Sequence, residues 1–369
     1  MSKIHRYVTV TLSLHHIMIT LPIPFLSACR HLVNPAYRIF ENKVECAEII
    51  QSRDGTSIYF GDVIITADLL QSHPDTEFFR MKKWPSMDPG CLTIKNGTLH
   101  YAYKNHRQTT MVEPITQPEA ALPEIVWSEE SITPDQSAPL MSITPFQSKD
   151  ETRYVLIGAL CSDAYIATDG RRLLNLSSSY TGTPFIMPSA ILAVMIALHL
   201  KKPAAYWRWN TLIDDNNSVT TAKIETDSYT VQFKAVYGNF PNWKQVIPAI
   251  DYATSNVKFI PNPSSIDSMA TWLRGRAGCM FIPHEGNILL YDVTLKSHAI
   301  FPGYLSTTCC YNGTWFKDML SVPGFHQMYS VDKESPAIFE FTGGMGVLMP
   351  IRSTVDVEAL LEDYALTTA

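Results

Sequence analysis

The feature that most constrains this chain is a hairpin pattern that recurs three times. Apolar β-formers flank a polar turn at Asp54-Gly55 within Val44 to Val63, near Ser162-Asp163 within Tyr154 to Thr168, and at Glu285-Gly286-Asn287 within Cys279 to Thr294. From Asp54 to Asp163 is 109 residues, and from Asp163 to Gly286 is 123. That period is too long for a solenoid and fits repeats the size of a domain. The spacing divides 369 residues into three similar domains with hairpins, short helices and further strands, an α+β chain.

Helical segments are expected beside each hairpin. Pro22 to Leu32 has Pro near its start, Asp135 to Phe146 is broken by Pro139 and Pro145, and Asn262 to Leu273 has Ser264 and Ser265 as caps. A second helix type begins at Pro188-Ser189 and runs to Lys201-Lys202, with Pro in the first turn and cations in the last. Its counterpart is Gly313 to Leu320. Tyr7 to Leu14 alternates as a strand. The stretches Pro114 to Pro134 and Pro248 to Ser255 read as boundary regions. The resulting division is 1–123, 124–250 and 251–352, with an acidic extension over 353–369.

Several function classes are disfavoured. The formal charge is −6 with 17 % charged residues, so a chain that coats nucleic acid with its whole surface is excluded, though not one that concentrates its positive charge. No apolar run approaches the roughly 18 residues of a membrane span. Seven cysteines form no C-x-x-C pair, so no zinc site is expected. There is no P-loop, no G-x-S-x-G and no H-E-x-x-H, since His284-Glu285 lacks the second His. Neither catalysis nor a cofactor is expected. One targeting pattern competes: Leu26-Ser27-Ala28-Cys29 after Lys3, His5 and Arg6 has the form of a lipoprotein cleavage box, but His15, His16, Pro22 and Pro24 interrupt its apolar stretch.

The second repeat contains Arg153-Tyr154-Val155-Leu156-Ile157-Gly158, then Ala167-Thr168-Asp169-Gly170-Arg171-Arg172-Leu173, and ends in Gly238-Asn239-Phe240-Pro241-Asn242-Trp243-Lys244-Gln245-Val246-Ile247-Pro248. The third ends in Val347-Leu348-Met349-Pro350-Ile351-Arg352. In order and spacing this set resembles the bacterial DNA polymerase sliding clamp, the beta subunit of the replicative polymerase. The resemblance is specific over about Asp135 to Arg352 and thins over the first 125 residues.

The resemblance implies the DNA-clamp fold: three similar domains, each with two helices packed on antiparallel sheets, assembling as a head-to-tail homodimeric ring. It implies a cytoplasmic, non-catalytic processivity factor. The ring encircles duplex DNA without reading its sequence and tethers the replicative polymerase and clamp loader through a peptide pocket, with no membrane involved. The pocket positions carried over are Leu156, Thr168, Gly170, Arg171, Arg172, Leu173, Pro241, Val246, Val347, Leu348, Met349, Pro350 and Arg352. Their chemistry suits an adaptable apolar floor with a few polar groups. Candidates for contact with phosphate are Arg30, Arg38, Lys149, Arg153, Tyr154, Lys201, Lys202, Arg274, Arg276 and Lys317.

Three departures stand out. Arg171 replaces the family's usual His, Gln245 replaces a frequent basic residue, and the chain continues past Arg352. The extension carries Val355, Leu360, Leu361 and Tyr364 near helical spacing among Glu358, Glu362 and Asp363. It leaves the pocket's own last strand, so it is expected to fold near the pocket and compete with partners. Two alternatives to the ring are a clamp-like adaptor that binds replication proteins without closing, and an exported lipoprotein of unrelated α+β fold.

Overall fold

The computed structural model describes residues 126–352, apart from 151, 197, 198, 200–203 and 228, together with the backbone of nine strands before residue 115. The chain forms two compact units. The first is Met1–Tyr165 with Ser178–Asn239, and the second is Ile166–Ser177 with Phe240–Ala369.

The first unit is built on a run of antiparallel strands. In spatial order they are Glu129–Pro134, Tyr206–Ile213, Val219–Glu225, Tyr229–Lys234, Val63–Ala67, Gly55–Phe60, Ala47–Ser52, Glu77–Met81, His106–Pro114, Thr98–Tyr103 and Cys91–Lys95. The first expected hairpin is present, but Gly55 pairs with Ser52 as the first residue of the second strand, so the turn falls one residue earlier than the expected Asp54-Gly55. Tyr7–Thr11 pairs with Met18–Pro22 as a separate two-stranded element. Helix α1 (Ser137–Ile143) continues as a 3-10 turn to Phe146, and α2 (Ser189–His199) buries Ile191, Leu192 and Met195. Trp207 and Trp209 anchor the core, and Trp209 Nε1 donates to Thr133 Oγ1 at 2.9 Å. Burying the indole without that acceptor would leave an unsatisfied donor.

Two expectations change here. The segment from Tyr154 to Leu156 is not the start of a strand: Glu151–Leu156 forms two short 3-10 turns across a kink at Arg153 (φ −109°, ψ 54°), and the hairpin begins only at Ala159. The reason is local: Asp150 caps the segment by accepting from Thr152 N at 3.1 Å and Thr152 Oγ1 at 2.7 Å, which favours a turn over a strand. The expected boundary stretch ends earlier than Pro134, because Glu129–Pro134 pairs in register with Tyr206–Ile213.

In the second unit the strands are β1 (Arg172–Ser177), β2 (Val257–Pro261), β3 (Cys279–His284), β4 (Asn287–Asp292), β5 (Ser297–Leu305), β6 (Cys309–Tyr311), β7 (Phe325–Ser330), β8 (Ala337–Phe341) and β9 (Gly344–Leu348). Their spatial order is β1-β9-β8-β7-β2-β5-β4-β3-β6, all antiparallel. The turn between β3 and β4 places Glu285 at φ 48° and Gly286 at φ 76°. Two successive positive φ values make a two-residue type I′ turn, whose twist matches the strands.

Helices α3 (Ile266–Leu273) and α4 (Gly313–Leu320) lie side by side on this framework, with Thr314 N donating to Arg276 O at 3.1 Å. Asn312 caps α4 by accepting from Trp315 N at 3.0 Å. The cap before α3 is Asn262, which accepts from Ser264 N, rather than Ser264 or Ser265; Ser265 makes no side-chain cap bond. The core centres on Phe316, whose ring lies 4.3 Å from Phe281, 5.1 Å from Phe339 and 5.3 Å from Phe259. Each such buried ring contributes about 2–3 kcal/mol.

The helix expected over Pro22 to Leu32, Cys29 of the lipoprotein pattern, Lys201-Lys202 and the extension after Arg352 fall outside the described residues. No helix among the described residues is long and apolar enough to cross a membrane.

Candidate partner-binding surface

The Thr168–Arg172 turn is a dense hydrogen-bonded loop. Thr168 Oγ1 donates to Arg172 O at 2.7 Å and accepts from Gly170 N at 3.1 Å. Asp169 Oδ1 accepts from Arg171 N at 2.9 Å and Arg172 N at 3.1 Å. Gly170 sits at φ 86°, where a side chain would be strained. The turn feeds β1, whose Arg172 and Leu173 lie opposite Leu348 and Val347 of β9. Past β9 the chain stays attached, since Met349 N donates to Arg171 O at 3.0 Å. Segments about 175 residues apart in sequence are thereby fixed beside each other.

The two arginines have different fates. Arg172 is 8 % exposed and bridges two carboxylates: Nε donates to Asp169 Oδ2 at 2.9 Å and Nη1 to Asp318 Oδ2 at 2.6 Å. Asp318 is also bonded by Lys317 Nζ at 2.7 Å. Arg171 is exposed, and both guanidiniums lie near the Trp315 ring, at 5.7 and 5.9 Å from its centroid. Sequence reasoning missed Trp315, Asp318 and Asp169 as members of this group. The first two are three apart on α4, so they share a helix face, and that was the available signal.

Around this turn, Met349 (45 % exposed), Arg171 and Gly170 reach solvent and Thr168 is half-buried; Pro350 is half-buried, and Arg352 is exposed just after Ile351, which bonds to β6 and not to this turn. Pro241 and Val246 (55 % exposed) are also open, Val246 ending the 3-10 turn Trp243–Val246. Leu173, Val347 and Leu348 are buried strand residues, able to form a floor but not a rim. Leu156 is buried and belongs to the first unit.

The candidate phosphate contacts divide similarly. Lys149, Arg153, Tyr154 (46 % exposed) and Arg274 reach solvent. Arg153 Nε donates to Asp150 Oδ2 at 3.0 Å; the hydrogen bonds from the Thr152 side chain and backbone, then Arg153, hold the Asp150 carboxyl below its usual range. Arg276 is built into the fold. Its Nε donates to Trp272 O at 2.6 Å, its Nη1 to Asp292 Oδ2 at 2.7 Å and Ser297 Oγ at 2.9 Å, and its guanidinium lies 3.9 Å from the Trp272 ring centroid. Lys317 is engaged with Asp318. Arg30, Arg38, Lys201 and Lys202 lie outside the described residues. Among the described residues no group of three or more His, Cys, Asp and Glu side chains could hold a metal ion.

No family model matches the chain. No curated protein matches it. Solved structures do. A DNA polymerase III beta subunit from Thermotoga maritima aligns at TM-score 0.66 and 15 % identity, covering 94 % of this chain and all of its own. A sliding clamp from Pseudomonas aeruginosa aligns at TM-score 0.62 and 15 % identity, covering 95 % of this chain and 100 % of its own. A Helicobacter pylori beta clamp bound to a DNA ligase peptide aligns at 0.62 and 13 %, covering 94 % and 100 %. The chain therefore has the fold of the bacterial DNA polymerase III beta sliding clamp.

Proposed function

We propose that this protein is a DNA sliding clamp: a non-catalytic, homodimeric ring that encircles duplex DNA and tethers replication proteins by a short peptide. The observation that carries the reading is a rule of strand pairing repeated along the chain. The strand after the first hairpin, Val63–Ala67, pairs with the last strand of the second repeat, Tyr229–Lys234. The strand after the second hairpin, β1, pairs with the last strand of the third repeat, β9. Continued once more, the rule pairs the part of β5 before Pro302 with the His106–Met111 part of the first repeat's last strand; the far ends of both, Gly303–Leu305 and Val112–Pro114, already take a second neighbour in β2 and Phe79–Met81. Within one chain that step has no further repeat to use. A second copy supplies it in both directions, and two three-domain protomers (1–123, 124–250, 251–352) then close head to tail.

The peptide site of this reading is the Arg171–Met349 surface, with Leu173, Val347 and Leu348 beneath it, and the family resemblance adds Val246 and Pro241 to it. Arg171 and the Trp315 face supply charge and a flat apolar wall, and Met349 an adaptable contact. Exposed Lys149, Arg153, Tyr154 and Arg274 supply sequence-independent phosphate contact at low density, as sliding requires.

Two measurements test this. Light scattering across micromolar concentrations is expected to give twice the monomer mass; a stable monomer rejects the closed ring and leaves the adaptor. Protein loaded on nicked circular plasmid is expected to remain bound and to leave after linearisation; equal loss from both forms rejects topological binding.

A further inference from the structure

The sheet formed by β6, β3, β4 and β5 is apolar on both faces. Phe281, Leu290 and Ile288 lie on one face, and Phe281 packs on Phe316 of α4. The other face carries Cys310 opposite Met280, Ile282 opposite Leu289, and Leu289 opposite Ile300. Residues directly opposite on paired strands share a face, so these side chains form one patch across four strands, away from the helices.

A face turned to water leaves its central side chains exposed. Here Leu289, Ile282, Met280 and Cys310 are at most 6 % exposed. Among the described residues, the partly buried hydrophobic side chains packed against them are Tyr291, Val293 and Ile351. Tyr291 belongs to β4 and Val293 immediately follows it. Ile351 arrives from elsewhere: after β9 the chain crosses to β6, and Ile351 N donates to Cys310 O at 2.8 Å. Ile351 lays its side chain on one end of the patch, and 17 residues follow Arg352 in the sequence.

Those residues have the pattern needed to continue the cover. Val357, Leu360, Leu361 and Tyr364 stand at i, i+3, i+4 and i+7, with Asp356, Glu358, Glu362 and Asp363 on the opposite side of that periodicity. Ser353 with Asp356 has the S-x-x-D form that precedes such a run. Ile300 of β5 is 40 % exposed, so the covered part of the face runs over β6, β3 and β4. Three strands span roughly 10 Å and eight residues at helical rise about 12 Å, so the lengths agree. We propose that the C-terminal segment 353–369 docks within its own chain on the outer face of the β6-β3-β4-β5 sheet, through Val357, Leu360, Leu361 and Tyr364 on Leu289, Ile282 and Cys310.

This occupant is favoured over a second copy because the cover already begins with Ile351, one residue before the segment leaves. It also changes the expectation drawn from sequence: the segment fastens Met349–Arg352 in place and leaves the Arg171–Met349 surface open.

Cys310 reports on the cover. Burial pushes its thiol up to about 11, which keeps the reactive thiolate scarce. The test is maleimide labelling of native full-length protein, with Cys310 followed by peptide mass mapping, in wild type and in the L360D/L361D double variant. Loss of two buried leucines is expected to speed Cys310 labelling by about tenfold or more. Hydrogen exchange of the unmodified protein provides a variant-free check, with the amides of 356–365 expected to be protected. Equal Cys310 labelling in both proteins, or exchange of 356–365 at the rate of an unstructured peptide, overturns the proposal. Protection of Cys310 that rises with protein concentration also overturns it, since the cover is then a second copy.

Discussion

Arg172 gives the sharpest test of how the candidate surface is held together. Its guanidinium is 8 % exposed and joins the turn carboxylate of Asp169 to the α4 carboxylate of Asp318, at 2.9 and 2.6 Å. Arg172→Ala removes both bonds. Asp169 keeps its two backbone donors, Arg171 N and residue 172 N. Asp318 keeps only Lys317 among the ion pairs described. Breaking a buried pair by removing one partner costs about 3–5 kcal/mol, and the remaining lysine offsets part of that, so about 2–3 kcal/mol is expected. Native-state hydrogen exchange reads this locally. Amides of β1 and α4 should exchange roughly 30- to 150-fold faster, at a factor of ten per 1.4 kcal/mol. Arg172→Lys, which presents one point charge to two carboxylates, should recover part of the protection but not all of it. Arg171→Ala, an exposed change beside it, should move these amides by less than about threefold. If Arg172→Ala leaves exchange of β1 and α4 within that same threefold, the double ion pair does not fasten the turn to α4, and the reasoning fails.

Other expectations follow from the same structure. Met349→Ala should weaken a labelled clamp-binding peptide by roughly five- to thirtyfold in fluorescence anisotropy while leaving thermal unfolding unchanged, because the side chain is exposed at the proposed contact. Arg276→Ala should destabilise the second unit by about 2–4 kcal/mol in urea unfolding, since it strips the partner from the buried Asp292. Burial alone would raise the Asp292 carboxyl, but hydrogen bonds from Leu295 N, Arg276 and Thr294 N more than offset it and hold the pKa below the usual carboxylate value. A carboxyl depressed in the folded state stabilises above its unfolded pKa of about 4 and loses that contribution as pH falls through the folded value. Acid unfolding below about pH 4 should therefore be less steep in Asp292→Asn, and equal slopes would contradict this. Gly286→Ala should cost about 1 kcal/mol by thermal unfolding, through φ alone, since nothing lies within 4 Å of its added methyl.

The particular residues show where sequence reasoning reached and where it stopped. The hairpin turn at Glu285-Gly286 and the limits of α4 were legible because turn chemistry and helix-end preferences act within a few residues; that Asn312 caps α4 came from the structure. The 3-10 helix at Glu151–Leu156 was not. Its apolar residues suit a strand equally well, and the decision fell to hydrogen bonds to Asp150. The cap before α3 was misplaced by two to three residues because Asn262, Ser264 and Ser265 are all competent acceptors, and the 3-10 turn through Pro263 chose among them. At the candidate surface, the exposed Arg171 and the buried Arg172 are neighbours of the same type, so composition could not separate them. The separation came from Asp318, 146 residues away.

By itself the sequence determined the repeat: three hairpins at a domain-sized interval, their turns to within about a residue, and the extent of the helix from Gly313 to Leu320. These depend on short-range preferences of backbone and side chain, which a linear pattern records. Only the tertiary structure decided which strand of one repeat meets which strand of the next. It also decided which arginine is buried and which faces of the β6-β3-β4-β5 sheet are covered. Those outcomes depend on partners brought together from distant parts of the chain, where burial and charge pairing are set by what arrives rather than by what is adjacent.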